Sequence, residues 1–595
     1  VPASLADVWW LAAAGAVVAT LVHVASVEFR FRVLHLYTWT NREFAWLALV
    51  GYLITFVVFA APVAVLVVAL RRWLGLRVAA TALTALTAFS ILLLYQKVHP
   101  IAQVILALGV GAHLGGLVAA APLRWLRRAR RVAVGGGLVL GGLGLLAFAG
   151  PRLGRGVASP PPAGAPNILL LILDTVRAAN LGLYGHSHPT TPVLDRLADE
   201  STVFEHAFVV APWSAPSHAS MLTGVWASQT GADYLHPMYD SLPTVAEVLR
   251  RRGYATGGFT ANTGFAGYQV GLSRGFDRYE DFPFTFHQAL WSTTLAQTGS
   301  GHLILEGVLY GERWKVRHAI THPDLRTTTV RRSVHQPAVE IATNFLSWRE
   351  AVGERPYFAM LNFMDAHAPY DPPDGFRTRF NEGLREVDRY DGAIAYTDSI
   401  IGQLLDQLRH RGELERTVVI VTSDHGEHWG EHDLESHGNS LYLPLLRVPL
   451  LIHAPGQVPG GQRIDRVISL RDLAATMVDL AGAEGGSLPG VSLAPVARQQ
   501  PGAEASPVLA EAAMAVNPGS RNLTRDGPIK ATLDSAWHYI RYGNGREELF
   551  AWRLDPEELE NRAATEEGRA VIPQHRQLVG RLLGTGWPPP RSRLH

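Results

Sequence analysis

Long apolar runs dominate the first 150 residues: Val8–Val27, Phe44–Leu70, Val78–Tyr95, Ile101–Leu123 and Val132–Gly150. Each approaches the ~20 residues that a helix needs to cross hydrocarbon. Residues 1–150 therefore predict a transmembrane bundle of about five helices, since five such runs in succession suit a buried soluble helical domain poorly. Trp9, Trp10, Trp46 and Tyr95 fall near run ends, where amphipathic rings favour the bilayer interface. The pairs Gly111/Gly115 and Gly137/Gly141 are spaced for close helix packing. No basic region precedes the first run, so no cleavable signal peptide is expected.

Residues 151–166 are rich in proline and glycine and read as a semi-rigid linker. The pattern then changes. Asn167–Asp174 is a continuous apolar run closed by an acid, which predicts a buried parallel strand with Asp174 at its carboxyl end. Similar runs occur at Tyr357–Phe363, Thr417–Ser423 and Leu450–His453, separated by helical patterns such as Thr191–Glu200 and Ser399–Arg409. Strands alternating with helices predict an α/β sandwich whose ligands sit beyond the carboxyl ends of its strands. The expected organisation is a main α/β domain over 167–500 and a smaller C-terminal subdomain over 501–595. Within the first, 284–355 reads as a variable insertion, carrying Trp291, Trp314, His302, His318 and His322 and ending in a helix over Thr328–Trp348.

Charge narrows the partners. The 595 residues carry a net charge of +1, so no strong field argues for nucleic acid. Cysteine is absent, which excludes disulfides and thiolate metal sites. Arg71, Arg72, Arg77, Arg124, Arg127, Arg128, Arg130 and Arg131 fall on one side of a five-span bundle. Arg30, Arg32, Arg42, Lys97, Arg152 and Arg155 fall on the other. The larger set belongs in the cytoplasm, which places the large domain on the periplasmic or extracellular side of the cytoplasmic membrane.

The chemistry concentrates in Trp213–Gly224. Ser214 stands at the start of a short helix that Pro216 can open and Gly224 can end. Its free N–H groups and positive dipole end would face an anion. Asp174 and the pair Asp424-His425 close two apolar runs. Two carboxylates, one imidazole and the serine oxygen make a mostly oxygen site, suited to Ca²⁺, Mg²⁺ or Mn²⁺. An acid closing a strand is about as often a helix cap, and a capped helix alone would explain Ser214–Gly224.

Ser214–Gly224 is similar to the active-site signature of the sulfatase family of the alkaline phosphatase superfamily, and further segments match in order. Asn167–Gly185 resembles the opening motif, and Phe363–Tyr370 the His-x-Pro-Tyr segment. Tyr390–Asp398 resembles the helix that follows. Thr422–Gly426, Glu435–Gly438 and Leu446–Leu450 match the second metal half, and Glu548–Asn561 the closing stretch. The resemblance implies an alkaline-phosphatase-like α/β/α fold with one divalent ion, Ca²⁺ foremost, held by Asp174, Ser214, Asp424 and His425. It implies catalytic roles for Ser214, His218, His367 and His437, with Ser214 acting as serine or as formylglycine derived from it. His367 would bind an ester oxygen or protonate the leaving oxygen, and His437 would face the leaving group; either alone reads as a surface-loop histidine.

Two departures stand out. Ala179-Asn180 replaces a second acid found in many relatives, and His218 replaces the usual arginine, whose positive charge it would supply. Arg177 and Asn262 are weaker site candidates, since pairing with nearby carboxylates would account for Arg177 and shaping a turn for Asn262. His186, His188, His428 and His432 read as solvated loop residues. The expected activity is hydrolysis of sulfate esters on a glycan, lipid or small molecule at a bilayer. The alternatives are a phosphoethanolamine- or phosphoglycerol-transferase-like phosphotransferase or phosphoesterase using unmodified Ser214, and a non-catalytic membrane protein of this fold.

Overall fold

The computed structural model describes residues 4–38, 40, 42–69, 75–95, 97–153, 161, 164–281, 286–296, 336–381, 385–482, 488–516 and 519–584. Two compact units result: Val1–Arg155 with Phe282–Arg332, and Gly156–Asp281 with Ser333–His595.

The first unit holds α1 (Leu5–Arg32), α2 (Phe44–Ala69), α3 (Leu76–Leu92), α4 (Pro100–Ala120) and α5 (Pro122–Leu153). Ser4 opens α1 with a reciprocal capping box to Asp7. Four of these helices, α1, α2, α4 and α5, are long and apolar enough to cross a membrane among the described residues. The fifth expected span falls short. The 17 residues of α3 reach only about 26 Å at ~1.5 Å per residue, less than the ~30 Å hydrocarbon core. Arg124–Arg131 lie on the first turns of α5 rather than in a loop, because only Ala121 separates α4 from Pro122.

Glycine spacing was a partial guide to packing. β-Carbons at Gly111 and Gly115 would come within 2.6 and 2.1 Å of Ala85 and Thr81 on α3, so this pair does permit close approach. Gly137 and Gly141 face open space; Gly136 against Val17 and Gly144 against Trp46 make the close approaches of α5 instead. The expected insertion divides. Its described beginning, including the helix Phe286–Trp291, belongs to this first unit, where Ala289 crosses Gly51 of α2 so closely that a β-carbon there would meet Ala289 O at 2.0 Å. Thr294 Oγ1 lies 2.8 Å from Tyr52 Oη and donates to Ser90 O at 2.7 Å. Tyr52 Oη in turn lies 3.2 Å from buried His23 Nδ1.

The second unit is built on β1 (Asn167–Leu173), β2 (Thr202–Phe208), β3 (Ala255–Thr260), β4 (Arg278–Glu280), β5 (Tyr357–Phe363) and β6 (Thr417–Thr422). Later come the small pair β7 (His428–Trp429) and β8 (Glu435–Ser436), then β9 (Arg447–Val448), β10 (Leu450–His453) and β11 (Gln462–Ser469). The main sheet runs β11-β2-β10-β6-β1-β5-β3-β4, with β9 beside β2. β1 is central and parallel to β5 and β6, whereas β10 runs antiparallel to β6, so the sheet is mixed. Leu169, Leu171 and Leu173 pack into a core with Ile341, Phe345, Ile394 and Leu404 of the helices Ala338–Val352 and Glu386–His410. Ile168, Leu170 and Ile172 on the opposite face are also fully buried. Burial on both faces explains why this strand has no polar alternation.

The helix expected over Thr328–Trp348 occupies Ala338–Val352. Residues 328–335, with His302, Trp314, His318 and His322, lie outside the described residues. Within 501–595, β12 (Val508–Ala512), β13 (Ile529–Leu533), β14 (His538–Arg541) and β15 (Glu547–Phe550) form an antiparallel sheet, with the helix Glu566–Leu583 packed through Ile572 on Tyr539 and Leu549.

Candidate active site

Asp174 and Asp424 stand just beyond the adjacent carboxyl ends of β1 and β6. Thr175 adopts φ 64°, strained for a β-branched residue. Three hydrogen bonds hold it there: Oγ1–H to Asp174 O (2.6 Å) and Ala366 O (2.9 Å), and its backbone N–H to Asp424 Oδ1 (3.2 Å). This kink ties the two acids together. Gly426, noted in the sequence beside the Asp-His pair, is required by close approach: a β-carbon would lie 1.9 Å from Pro444 O.

Ser214 opens α7 (Ser214–Thr223), which follows α6 (Pro192–Ala198) in chain order. α7 ends where expected, at Gly224 with φ 75°, so close to Pro489 that a β-carbon would meet its carbonyl oxygen at 1.8 Å. His425 Nδ1–H donates to Gly426 O at 2.9 Å, which leaves the lone pair on Nε2, 3.2 Å from Ser214 Oγ. Burial, reinforced by the charge of His437, pushes the His425 imidazole down to about 3 and keeps it neutral. Asn262 Nδ2 donates to Ser214 Oγ (3.0 Å) and Asp174 Oδ2 (2.8 Å), while its Oδ1 accepts from Phe265 N and so fixes the amide orientation. Asn262 is thus both a turn residue and a partner of Ser214 Oγ.

The donor set fits a divalent ion. Asp174 Oδ1 and Asp424 Oδ2 are buried and accept no hydrogen bond among the described residues. Ligand atoms of Asp174, Asp424 and His425 lie within 4.8 Å of one another. Two orphaned carboxylate oxygens and a neutral imidazole would be costly to bury without a cation between them.

His218 is fully buried one turn into α7. Its Nδ1–H donates to Ser214 O at 2.9 Å, and its Nε2 lies 3.4 Å from Asn362 Nδ2 and Nδ1 3.5 Å from Asp424 Oδ2. His367 and His437 come together, with ring centroids 5.1 Å apart, and His437 lies 4.5 Å from the His425 ring. His437 Nδ1 pairs with Glu427 Oε1 at 3.0 Å, and Tyr370 Oη–H donates to Glu427 Oε2 at 2.9 Å. Burial pulls the His437 imidazole down, but the Glu427 carboxylate, aided by Asp174 and Asp424, outweighs it and raises the value. Burial likewise works against the Glu427 carboxylate, and the facing imidazolium more than offsets it.

Sequence reasoning missed Glu427 and Asn362. Glu427 was visible as the acid closing Ser423–Glu427, and Asn362 as the lone polar residue inside the apolar run of β5. Asn362 Nδ2 donates to Asp174 Oδ2 at 3.1 Å, and its Oδ1 accepts from Asn262 N at 3.0 Å. Four histidines read as solvated are otherwise placed. His428 is buried against Ser440 Oγ (2.9 Å), His432 stacks on Tyr442, and His186 and His188 both contact Asp391. Arg177 pairs with Glu431 at 2.6 Å.

The Sulfatase family model matches residues 166–483, more than half of the chain, and the protein belongs to that family. It is a sulfatase-family hydrolase with the alkaline-phosphatase-like fold, preceded by apolar helices. Among similar proteins, human arylsulfatase D is 27% identical over 399 residues, covering 54% of this chain and 65% of its own length, just under two thirds. An arylsulfatase of Clostridium perfringens is 24% identical over 471 residues, covering 70% of this chain and 93% of its own. The phosphonate monoester hydrolase of Agrobacterium radiobacter shares the fold at TM-score 0.53 and 19% identity, over 70% of this chain and 95% of its own.

Proposed function

We propose that the protein is a membrane-anchored hydrolase of sulfate esters that uses residue 214 as its nucleophile. The observation that carries this reading is the convergence of Asp174 Oδ1, Asp424 Oδ2 and His425 Nε2 beside Ser214 Oγ. Asp174, Asp424, His425 and Ser214 would hold a divalent ion, Ca²⁺ being the best match to the oxygen-rich set. That ion supplies the positive charge that lowers the nucleophile's pKa and neutralises ester oxygens. Asn262 orients the nucleophile through its bond to Ser214 Oγ. The N-terminus of α7 offers N–H groups to the anionic ester. His437, kept protonated by Glu427, delivers its Nε2 proton to the leaving oxygen, with His367 alongside.

The helices α1, α2, α4 and α5 would hold the chain in the bilayer. Orientation follows from α5 alone. Arg124, Arg127, Arg128, Arg130 and Arg131 crowd its first turns, against Arg152 alone in its last turn. The arginine-rich end belongs in the cytoplasm, so the linker and catalytic unit emerge on the opposite side.

A second reading, phosphoester chemistry by unmodified Ser214, is supported by His218, which donates to the Ser214 carbonyl where relatives would carry a cationic arginine. The mass of the peptide carrying Ser214, from protein made in its native host, separates the two. A species lighter by two hydrogens is expected and points to formylglycine and sulfate esters. An unmodified serine, with turnover of phosphate and not sulfate esters, would overturn the first reading.

A further inference from the structure

Outside the active centre, His186, His188 and Asp391 bring three metal-competent atoms within 4.8 Å of one another. We propose that these residues form a second metal site, for a borderline transition-metal dication of which Zn²⁺ is the representative. Nothing in the nucleophile's machinery uses them. His186 Nε2 lies 2.9 Å and His188 Nδ1 3.0 Å from the same oxygen, Asp391 Oδ2.

Two imidazoles aimed at one carboxylate oxygen is an N₂O donor set suited to zinc and its neighbours, unlike the oxygen-rich set around Ser214. With metal–ligand bonds of about 2.0–2.2 Å, tetrahedral ligands stand about 3.4 Å apart. Each imidazole nitrogen needs to draw back from Asp391 Oδ2 by only about 0.4 Å from its hydrogen-bonded distance to admit the ion. Each imidazole in the ion-free state donates the N–H that faces Asp391. On binding it shifts that proton to its other ring nitrogen, so neutral imidazoles need release no proton.

The surroundings hold the ligands in place. Asn180 Nδ2 donates to Asp391 Oδ1 at 2.7 Å, leaving Oδ2 to the histidines, and the Asn180 carbonyl accepts from Thr190 Oγ1 at 2.6 Å. The His188 ring stacks on Phe380, 4.8 Å away and 2° from parallel. Support of this kind to a carboxylate and an imidazole ligand is what a metal site requires. The Asp391 side chain is 3% exposed, whereas His186 and His188 are 18% and 28% exposed. The acid is therefore fixed in the helix Glu386–His410, while the histidines leave solvent access for an ion and a completing water. The bound ion would clip the loop after Gly185 to that helix.

The test is zinc content of the detergent-solubilised full chain, stripped with a chelator and dialysed against micromolar ZnCl₂. His186→Ala/His188→Ala is expected to lose one equivalent relative to the unsubstituted protein. Asp174→Asn/Asp424→Asn is expected to keep that equivalent, which separates this site from the one proposed for hydrolysis. His186→Gln/His188→Gln, which can still hydrogen-bond Asp391, guards against misfolding and is also expected to lose it. Cobalt(II) absorption of four-coordinate intensity, present in the unsubstituted protein and absent from the glutamine variant, would support the assignment. Equal zinc content in the unsubstituted protein and a folded histidine variant would overturn it and leave a hydrogen-bonded cluster only.

Discussion

Thr175 donates its backbone N–H to Asp424 Oδ1 across 3.2 Å, and it does so only because its φ is 64°. The residue following one acid thus fixes the carboxylate of the other, with its own hydroxyl holding the kink on Asp174 O and Ala366 O. Thr175→Val keeps the side-chain shape but strips both hydroxyl bonds, at about 1–3 kcal/mol for the buried polar groups left unpaired. The expected outcome is a lower melting temperature and metal affinity weakened at least about tenfold. Isothermal titration with Ca²⁺ checks it; an unchanged affinity would remove Thr175 from the site's support.

Asn262→Ala removes the donor to Ser214 Oγ and one of two donors to Asp174 Oδ2. Turnover should fall by about 10²–10³, the scale seen when an oriented donor is removed from a reacting oxygen. KM should change much less. A loss confined to KM would mean that Asn262 serves binding alone.

The Glu427–His437 pair predicts a pH effect with a definite sign. Glu427 raises the His437 value above its ordinary one, so the protonated form persists to higher pH in the folded protein. If His437 is the acid, activity is lost as pH rises through that raised value. Glu427→Gln should move this alkaline limb of the kcat profile to lower pH. A limb that stays in place would assign the proton to another group.

Asp365 offers a stability test away from Ser214. Burial raises its carboxyl from 3.8 to about 7, against the opposing bond from Ala338 N. A raised folded value means a contribution fully present below about pH 4 and lost as pH climbs to about 7. The swing is on the order of 2–4 kcal/mol. Asp365→Asn carries no titrating group, so the melting temperature of the unsubstituted protein should decline relative to this variant between those values. Parallel melting curves would contradict it.

In the first unit, Gly51→Leu should prevent Ala289 from seating on α2 and lower thermal stability, whereas Thr294→Val should cost less, about 1 kcal/mol, by losing its hydroxyl bonds. Differential scanning fluorimetry in detergent would rank the two, and a neutral Gly51→Leu would argue against the close crossing.

Much of the site is legible in sequence because its pieces are local. Asp174 and Asp424 each end a continuous apolar run, and Ser214 begins a helix punctuated by Pro216 and Gly224. The supporting polar residues were harder to read. Asn362 sits inside an apolar strand and Glu427 beyond the Asp-His pair, and their roles depend on which strands lie side by side. Helix packing was similarly ambiguous: α5 carries glycines at 135–137, 141, 142 and 144, the one pair four apart is Gly137/Gly141, and only the facing α1 and α2 select Gly136 and Gly144. The return of residues after Asp281 to the first unit left no periodic trace, since its specificity resides in Gly51, Tyr52 and Ser90, far away in sequence.

The place of β1 at the centre of the sheet has a consequence for biosynthesis. Both of its neighbours, β5 and β6, are encoded after the excursion that begins beyond Asp281, and Ile168 first meets Phe358, about 190 residues downstream. At roughly 5–20 residues per second, the ribosome needs on the order of 10–40 s to supply that partner. Throughout this interval a strand that is apolar from Ile168 to Leu173 has two unpaired edges, so the nascent chain is most vulnerable to aggregation before the sheet can close.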